Sequence, residues 1–322
     1  MTIEFTFNKF KDRIDLINSE INNIISGEPK KLYDASRYLF KKEAGGKRIR
    51  PILCLLSCEA VGGKTEDALP SAVSTELIHT FTLIHDDMMD DDKLRRNLPS
   101  VHVAYGNPTA VLAGDLLFAK AFEICNMRVS KILANASSEI CEGQEMDIEF
   151  EKRNSVSEEE YMTMILKKTA VLIEASTKSG AILGNAADEE VDAMASYGRN
   201  IGLAFQIHDD ILDLVGDEKK IGKPVGSDIV EGKKTLITVK ALEFLNGSEK
   251  EDLLEILNKK ENTKSEIEKA LELIYNCGSM DYCKEKERKL IEDAKHSIRN
   301  FFDSEAKQDL LNVAGFIIQR DI

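Results

Sequence analysis

The stretch LIHDDMMD occupies residues 83–90, and a near copy, QIHDDILD, occupies residues 206–213. On a helix, residues four apart share a face, so Asp86 stands over Asp90 and Asp209 over Asp213, with Asp87 and Asp210 beside them. Like charges at that spacing destabilise a solvated helix by roughly 0.2–0.5 kcal/mol per pair, and by more where they are partly buried. Each copy follows an apolar run, TFTLI (80–84) and GLAFQI (202–207), which sets it at the end of a buried helix. Something positive must offset the repulsion. Carboxylate oxygens alone select a hard cation, Mg²⁺ or Ca²⁺, over zinc or copper. Mg²⁺ commonly keeps waters and completes its shell with substrate phosphate oxygens. Two such clusters therefore imply a phosphorylated substrate.

Outward from the two motifs, the chain reads as helix. Apolar residues recur at helical spacing near 3–25, 31–42, 50–61, 67–93, 108–129, 130–152, 157–184 and 188–215, with another helix near 235–245 and a charged helical tail. Gly45-Gly46, Gly62-Gly63, Gly106-Asn107-Pro108, Asn185 and Gly216 punctuate these segments. No strand-period alternation of useful length appears, and no hairpin dipeptide joins two apolar runs. The spacing predicts an all-α chain whose 322 residues form one domain, 1–322. The stretch 216–234 is the one long irregular segment, and loops of that length in compact domains are usually functional.

Composition narrows the function. No run of eighteen apolar residues is present, so no transmembrane span is expected. The opening MTIEFTFNKFKDRIDL is charged throughout, so a secretory signal is not expected and a cytoplasmic location is. Six cysteines with no C-x-x-C make neither a disulfide framework nor a zinc site. A net charge of −14 argues against nucleic acid as a partner. Yet the bases gather locally in GGKRIRP (45–51), KLRR (93–96), KK (167–168) and KKIGKPVGSDIVEGKK (219–234). Such clusters suit phosphate oxygens.

Six stretches now stand in order: GGKRIRP, HTFTLIHDDMMDDDKLRRNLPSVH, GQEMDIEFE, KKTA, FQIHDDILD and GKPVGSDIVEGKKT. In that order they resemble the trans-isoprenyl diphosphate synthases, the all-helical prenyltransferases of the polyprenyl synthetase family. The resemblance spans about residue 40 to 240, and is most like the archaeal geranylgeranyl/farnesyl type. It implies a single large bundle of ten or more helices around a deep central cavity. It implies condensation of an allylic diphosphate (dimethylallyl, geranyl or farnesyl) with isopentenyl diphosphate, assisted by about three Mg²⁺ ions per active site. By position, Asp86, Asp87 and Asp90, and Asp209, Asp210 and Asp213, correspond to the metal-binding motifs. Arg95, Lys168, Thr169, Gln206, Lys223 and Lys233 correspond to contacts with the allylic diphosphate. Lys47, Arg50, His79 and Arg96 correspond to the isopentenyl diphosphate site, and Gln144 and Asp147 to a supporting role. A homodimer is the family expectation.

The resemblance also implies that product length is set by Thr82 and Phe81, four and five residues before Asp86. Four residues of helix rise about 6 Å and five about 7.5 Å, on the order of one to two isoprene units. Thr82 shares the face of Asp86, whereas Phe81 lies about 140° round the helix, so its role rests on the resemblance. One aromatic at that position, with no insertion in DDMMD, implies geranylgeranyl diphosphate with some farnesyl diphosphate. A farnesyl diphosphate synthase is the nearest alternative. A metal-dependent phosphohydrolase of the HD type is a second, since His85-Asp86 and His208-Asp209 are His-Asp pairs, but His102 and His296 do not complete its ligand set. His85 and His208 read better as packing or supporting residues.

Overall fold

The computed structural model describes residues 9–41, 46–215, 226–259 and 261–318. Lys223, assigned above to the allylic diphosphate, lies outside the described residues. The chain divides into two compact units, and both are helical. The first comprises Met1–Ser137, Leu172–Ala195 and Asn300–Leu311, the second Ser138–Val171, Ser196–Arg299 and Asn312–Ile322.

The first unit holds α1 (Lys11–Ile24), α2 (Lys30–Ser36), α3 (Ile49–Ala60), α4 (Thr65–Met89), α5 (Val101–Tyr105) and α6 (Asn107–Ile124). Helix α4 carries the first acidic motif and packs on α1, α3 and α6. Its Leu77, Ile78 and Ile84 are fully buried, each worth roughly 1.5–3 kcal/mol relative to exposure. Small residues let α4 approach α6 closely. Ser74 Oγ donates to Pro70 O at 2.9 Å and also reaches Ala121 O on α6, at 2.8 Å, so a buried hydroxyl is satisfied where a larger side chain would hold the helices apart.

Helix α4 stops at Met89 instead of running on to residue 93, and the chain then forms a small hairpin. Strands β1 (Leu94–Arg95) and β2 (Leu98–Pro99) pair antiparallel. Between them Arg96 and Asn97 take φ of 54° and 64°, the left-handed pair that a tight primed turn requires. Asparagine tolerates that conformation, but arginine at the first turn position gives no sequence signal. The expectation of no hairpin is corrected for that reason.

Helix α7 (Met127–Glu151) passes from the first unit into the second, where α8 (Glu158–Ile165) runs through a π-turn, Leu166–Ala170, into α9 (Val171–Leu183), which belongs to the first unit from Leu172 on. Then come α10 (Asp188–Val215), α11 (Ser227–Val230), α12 (Leu236–Phe244), α13 (Gly247–Leu257), α14 (Lys264–Asn276), α15 (Ser279–Ser297) and α16 (Glu305–Ile317). Of these α10 enters the second unit at Ser196 and α16 at Asn312, the others lying wholly in the second unit. The core of this second unit gathers Tyr161, Ile207, Ile211, Ile237, Leu253 and Ile274.

Glu158, in the first turn of α8, ties three elements of that unit together. Its carboxylate accepts from Tyr282 Oη at 2.8 Å and pairs with Lys240 at 2.6 Å and with Lys286. Burial raises its pKa, but the hydrogen bonds from Lys240, Lys286 and Tyr282 outweigh that and hold it at about 2. Glu158→Gln is expected to destabilise the fold by about 2 kcal/mol at neutral pH. A depressed carboxyl contributes stability that is complete above pH 4.5 and is lost as pH falls through 2. The gap between wild type and variant should therefore close between those values in urea-denaturation midpoints, and a gap that persists undiminished at pH 2 would refute the assignment.

Candidate active site

At the end of α4, the structure sorts the three aspartates of the first motif. Asp86 is half-buried and Asp90 exposed, whereas Asp87 is fully buried. Arg95, returned by the hairpin, donates Nε to Asp87 Oδ1 at 2.7 Å, and its Nη2 pairs with the same oxygen. Burial raises the Asp87 pKa, against the pull of Arg95. Burial alone would lower Arg95, but the hydrogen bond and charge of Asp87 raise it overall. Asp87 thus holds Arg95 in place. The next residue, Arg96, is the first of the turn, and its left-handed backbone turns it to a different neighbourhood.

That neighbourhood is the GGKRIRP segment. A Cβ on Gly46 would lie 3.0 Å from Arg96 Nη1 and 2.0 Å from Arg48 Nη1. His79 is held well below its usual pKa by burial first, then by the charges of Arg50, Arg96, Arg95 and Arg48, so it is a neutral imidazole among cations. Arg50, His79 and Arg96 are therefore brought together, with Lys47 exposed at the segment's edge.

Phe81 and His85 of α4 face α6. Phe81 meets Phe118 edge-on, with centroids 5.0 Å apart. Thr82 Oγ1 donates to the carbonyl of His79 at 2.8 Å. His85 Nε2 lies 3.3 Å from Val111 O, and a Cβ on Gly114 would come within 2.3 Å of that nitrogen. His85 packs into a notch that only glycine leaves, as its packing reading requires.

The second motif is sorted in the same manner. Asp209 is half-buried, while Asp210 and Asp213 are buried. Asp210 accepts Tyr161 Oη at Oδ2 and Gln206 Nε2 at Oδ1, the latter at 2.9 Å. Burial, with Asp209 and Asp147 adding, pushes its pKa up to about 7 against those hydrogen bonds. Asp213 takes Ser227 Oγ on one oxygen and the Asp228 amide on the other at 3.1 Å, while its carbonyl accepts Gly226 N at 2.8 Å. It anchors the start of α11, where Gly226 sits at φ 78°.

The π-turn supplies the cation and hydroxyl. Lys168 Nζ pairs with Asp147 Oδ2 at 2.5 Å, and Thr169 Oγ1 donates to Gln206 Oε1 at 2.8 Å. Thr169, Gln206, Asp210 and Tyr161 thus form one hydrogen-bonded row. Lys233 pairs with Glu231 at 2.6 Å, and burial, which lowers its pKa, is outweighed by Asp228 and Glu231. Asp147, Lys168, Gln206, Asp210, Asp228 and Lys233 all line a cavity of about 100 Å³. Gln144 is buried, and neither atom of its amide has a partner among the described residues.

Tyr161 and Asp228 were missed by the sequence reading. Tyr161 lies eight residues before Thr169, where no local pattern marks it; Asp228 lay within a quoted motif, and its depth was the missing information. Asp228 is raised well above its usual range by burial, with Asp213 and Asp210 adding. His208 Nδ1 lies 2.7 Å from Glu287 Oε1, both buried, so it ties α10 to α15. With His85 in its notch, neither histidine serves the HD-type reading.

The donors of each motif fit a hard cation: Asp86 is half-buried and Asp90 exposed in the first, Asp209 is half-buried in the second, and all offer carboxylate oxygens. Among the described residues, no three His, Cys, Asp or Glu side chains are gathered in a group that could hold a metal ion.

Comparison with known proteins bears on the whole chain. The family model described as polyprenyl synthetase matches residues 29–274. A short chain isoprenyl diphosphate synthase of Methanothermobacter thermautotrophicus is 48% identical over 301 residues, covering 91% of this chain and 91% of that protein. The crystal structure of geranylgeranyl pyrophosphate synthetase from Pyrococcus horikoshii Ot3 matches with a TM-score of 0.93 at 45% identity, covering 98% of this chain and 99% of that one. The polyprenyl synthase from Caulobacter crescentus CB15, complexed with calcium and isoprenyl diphosphate, matches with a TM-score of 0.92 at 30% identity, covering 100% and 98%. Two sorted aspartate motifs, each with its own cations, thus sit in a chain matched along nearly its full length, and this protein belongs to the polyprenyl synthetase family.

Proposed function

We propose that the protein is a short-chain prenyltransferase that condenses an allylic diphosphate with isopentenyl diphosphate, with geranylgeranyl diphosphate as product and some farnesyl diphosphate. The observation that carries this reading is the sorting of both acidic motifs, with Asp86, Asp90 and Asp209 less buried than Asp87, Asp210 and Asp213, and with Arg95 and Lys168 each held by a carboxylate. Asp86, Asp90 and Asp209 would hold Mg²⁺, about three ions in all, which when bound neutralises charge building on the leaving diphosphate. Asp147 and the amide of Gln144 support that group. Arg95, fixed by Asp87, and Lys168, Thr169, Gln206 and Lys233 bind the allylic diphosphate; Lys223 is proposed with them on its motif position. Asp210 and Asp213 then act by positioning Gln206 and the start of α11.

Lys47, Arg50, His79 and Arg96 bind the second diphosphate, that of isopentenyl diphosphate. The allylic C–O bond breaks with its electron pair leaving on the pyrophosphate, the double bond of isopentenyl diphosphate attacks the allylic cation, and a proton is lost to the released pyrophosphate. Arginine and lysine at the leaving group lower the first barrier, because that is where charge develops. The two units are proposed to act as one domain, 1–322, since the family match runs through both. The protein is also proposed to be cytoplasmic, and among the described residues no helix is long and apolar enough to cross a membrane. A homodimer is proposed as well: α6 leaves Val111, Leu112 and Phe118 exposed, and sedimentation equilibrium at the mass of one chain would refute it.

Labelled isopentenyl diphosphate incubated with an allylic diphosphate should enter a longer, acid-labile product, and EDTA should abolish it; incorporation that survives EDTA would overturn the reading. In the same assay, Phe81→Ala should lengthen the product by one isoprene unit or more, since it removes the ring that meets Phe118. An unchanged product would refute the floor role of Phe81.

A further inference from the structure

We propose that Arg48 and Glu76 are positioning residues that set the site for isopentenyl diphosphate, and this rests on the assignment of that site above. Arg48 stands between Lys47 and Arg50 in GGKRIRP, yet its side chain turns inward and is 3% exposed, whereas Lys47 is exposed. Its backbone is left-handed, φ 53°, ψ 35°, at the N-cap of α3, a conformation that side chains other than glycine, asparagine and aspartate rarely adopt. A residue persists in that region only when its surroundings over-determine it.

They do. Arg48 Nε donates to Asn18 Oδ1 at 2.9 Å, Nη1 to Glu76 Oε1 at 3.1 Å and Nη2 to the carbonyl of Phe40 at 3.1 Å. The guanidinium also lies 5.4 Å from the centroid of the Phe40 ring. One side chain therefore fastens the segment to α1, to α4 and to the chain just after α2. A planar five-donor group can meet three fixed acceptors; a lysine ammonium on a flexible stem cannot.

Glu76 closes the argument. It is 4% exposed on α4 and lies three residues before His79, about one helical turn. The Arg48–Glu76 pair thus couples the segment bearing Lys47 and Arg50 to the turn bearing His79. Glu76 is also an anion within a cationic group: its charge raises the pKa of Arg96, which burial and Arg48 lower. It offsets repulsion between Arg48 and Arg96 that would otherwise spread the site.

The test is steady-state kinetics of Arg48→Lys, Glu76→Gln and the double variant, with thermal midpoints measured in parallel. The KM for isopentenyl diphosphate should rise about tenfold in each, while the allylic KM stays within about twofold. The double variant should be no worse than the worse single one, because the two act as a unit. Asn18→Ala, which removes one of the three anchors and spares the ion pair, should give a smaller rise of the same kind, about fivefold. Folded variants whose isopentenyl KM does not move, or whose two KM values rise together, would overturn the brace. Lys47→Ala separates the two levels of inference: if it too leaves the isopentenyl KM unchanged, the site assignment has failed; if it raises that KM and Asn18→Ala and Glu76→Gln do not, the brace alone has failed.

Discussion

Asp209→Ala should lower kcat by about 10²–10³-fold, with Asp86→Ala close behind, while Asp213→Ala acts mainly on stability. A loss of that size is what removal of a single group stabilising developing charge produces elsewhere, and 10³-fold corresponds to about 4 kcal/mol of barrier. Spacing alone would treat Asp209 and Asp213 alike, because they share a helical face. The structure does not. Asp209 is half-buried, whereas Asp213 is buried and both its oxygens accept hydrogen bonds, from Ser227 and the Asp228 amide. Removing Asp213 frees the start of α11 and orphans a buried hydroxyl and an amide, costing about 1–3 kcal/mol. The distinguishing measurements are the Mg²⁺ concentration giving half-maximal rate and the thermal midpoint. Asp209→Ala should shift the first and spare the second; Asp213→Ala should do the reverse. If Asp213→Ala matched Asp209→Ala in kcat with an unaltered midpoint, all the motif aspartates would be ligands and the sorting would be wrong.

Much of this was legible in the residues. Apolar runs ending in His-Asp-Asp announced the two long helices, because period and charge cluster agreed there, and α4 and α10 end in those motifs. Two groups of bases announced two anions. What stayed hidden is non-local. Burial separates Asp87 from Asp86, and only the return of Arg95 through the hairpin shows what Asp87 does. Spacing placed Asp213 with Asp209, and α11, distant in sequence, covers it. The π-turn hid for another reason: one extra residue in the turn scarcely disturbs the apolar pattern from 157 to 184, so the stretch reads as one helix. Arg48, given no role beside Lys47 and Arg50, proves to be buried against Glu76.

That extra residue makes Gly143→Ala the second strong test. A π-turn adds one residue between helical turns and re-aims the side chains it carries, which is why such turns concentrate at functional sites. Here it spans Leu166–Ala170 and carries Lys168 and Thr169. Two glycines hold it from two helices. A Cβ on Gly143 of α7 would lie 2.3 Å from Lys168 N and 2.8 Å from Lys167 C; one on Gly202 of α10 would lie 2.6 Å from Ala170 Cα. Both obstacles are backbone, which cannot rotate aside as a side-chain tip can. An added methyl must therefore push the turn, and displacement of about 1 Å at groups that orient a reactant can cost 10²-fold. Gly143→Ala should lower kcat/KM for the allylic diphosphate by about 10²-fold and leave the KM for isopentenyl diphosphate in place; Gly202→Ala should follow the same pattern. Overpacking will also cost about 1–3 kcal/mol of stability, so instability needs its own control. Gly63 supplies it, since a Cβ there would meet Gly184 Cα at 2.5 Å, equally tight but just past the C-terminal end of α3, the opposite end from Lys47 and Arg50. Gly63→Ala should lower the thermal midpoint and leave both KM values alone. Were Gly143→Ala to behave like Gly63→Ala, the π-turn would be a packing feature, and Lys168 and Thr169 would owe their aim to something else.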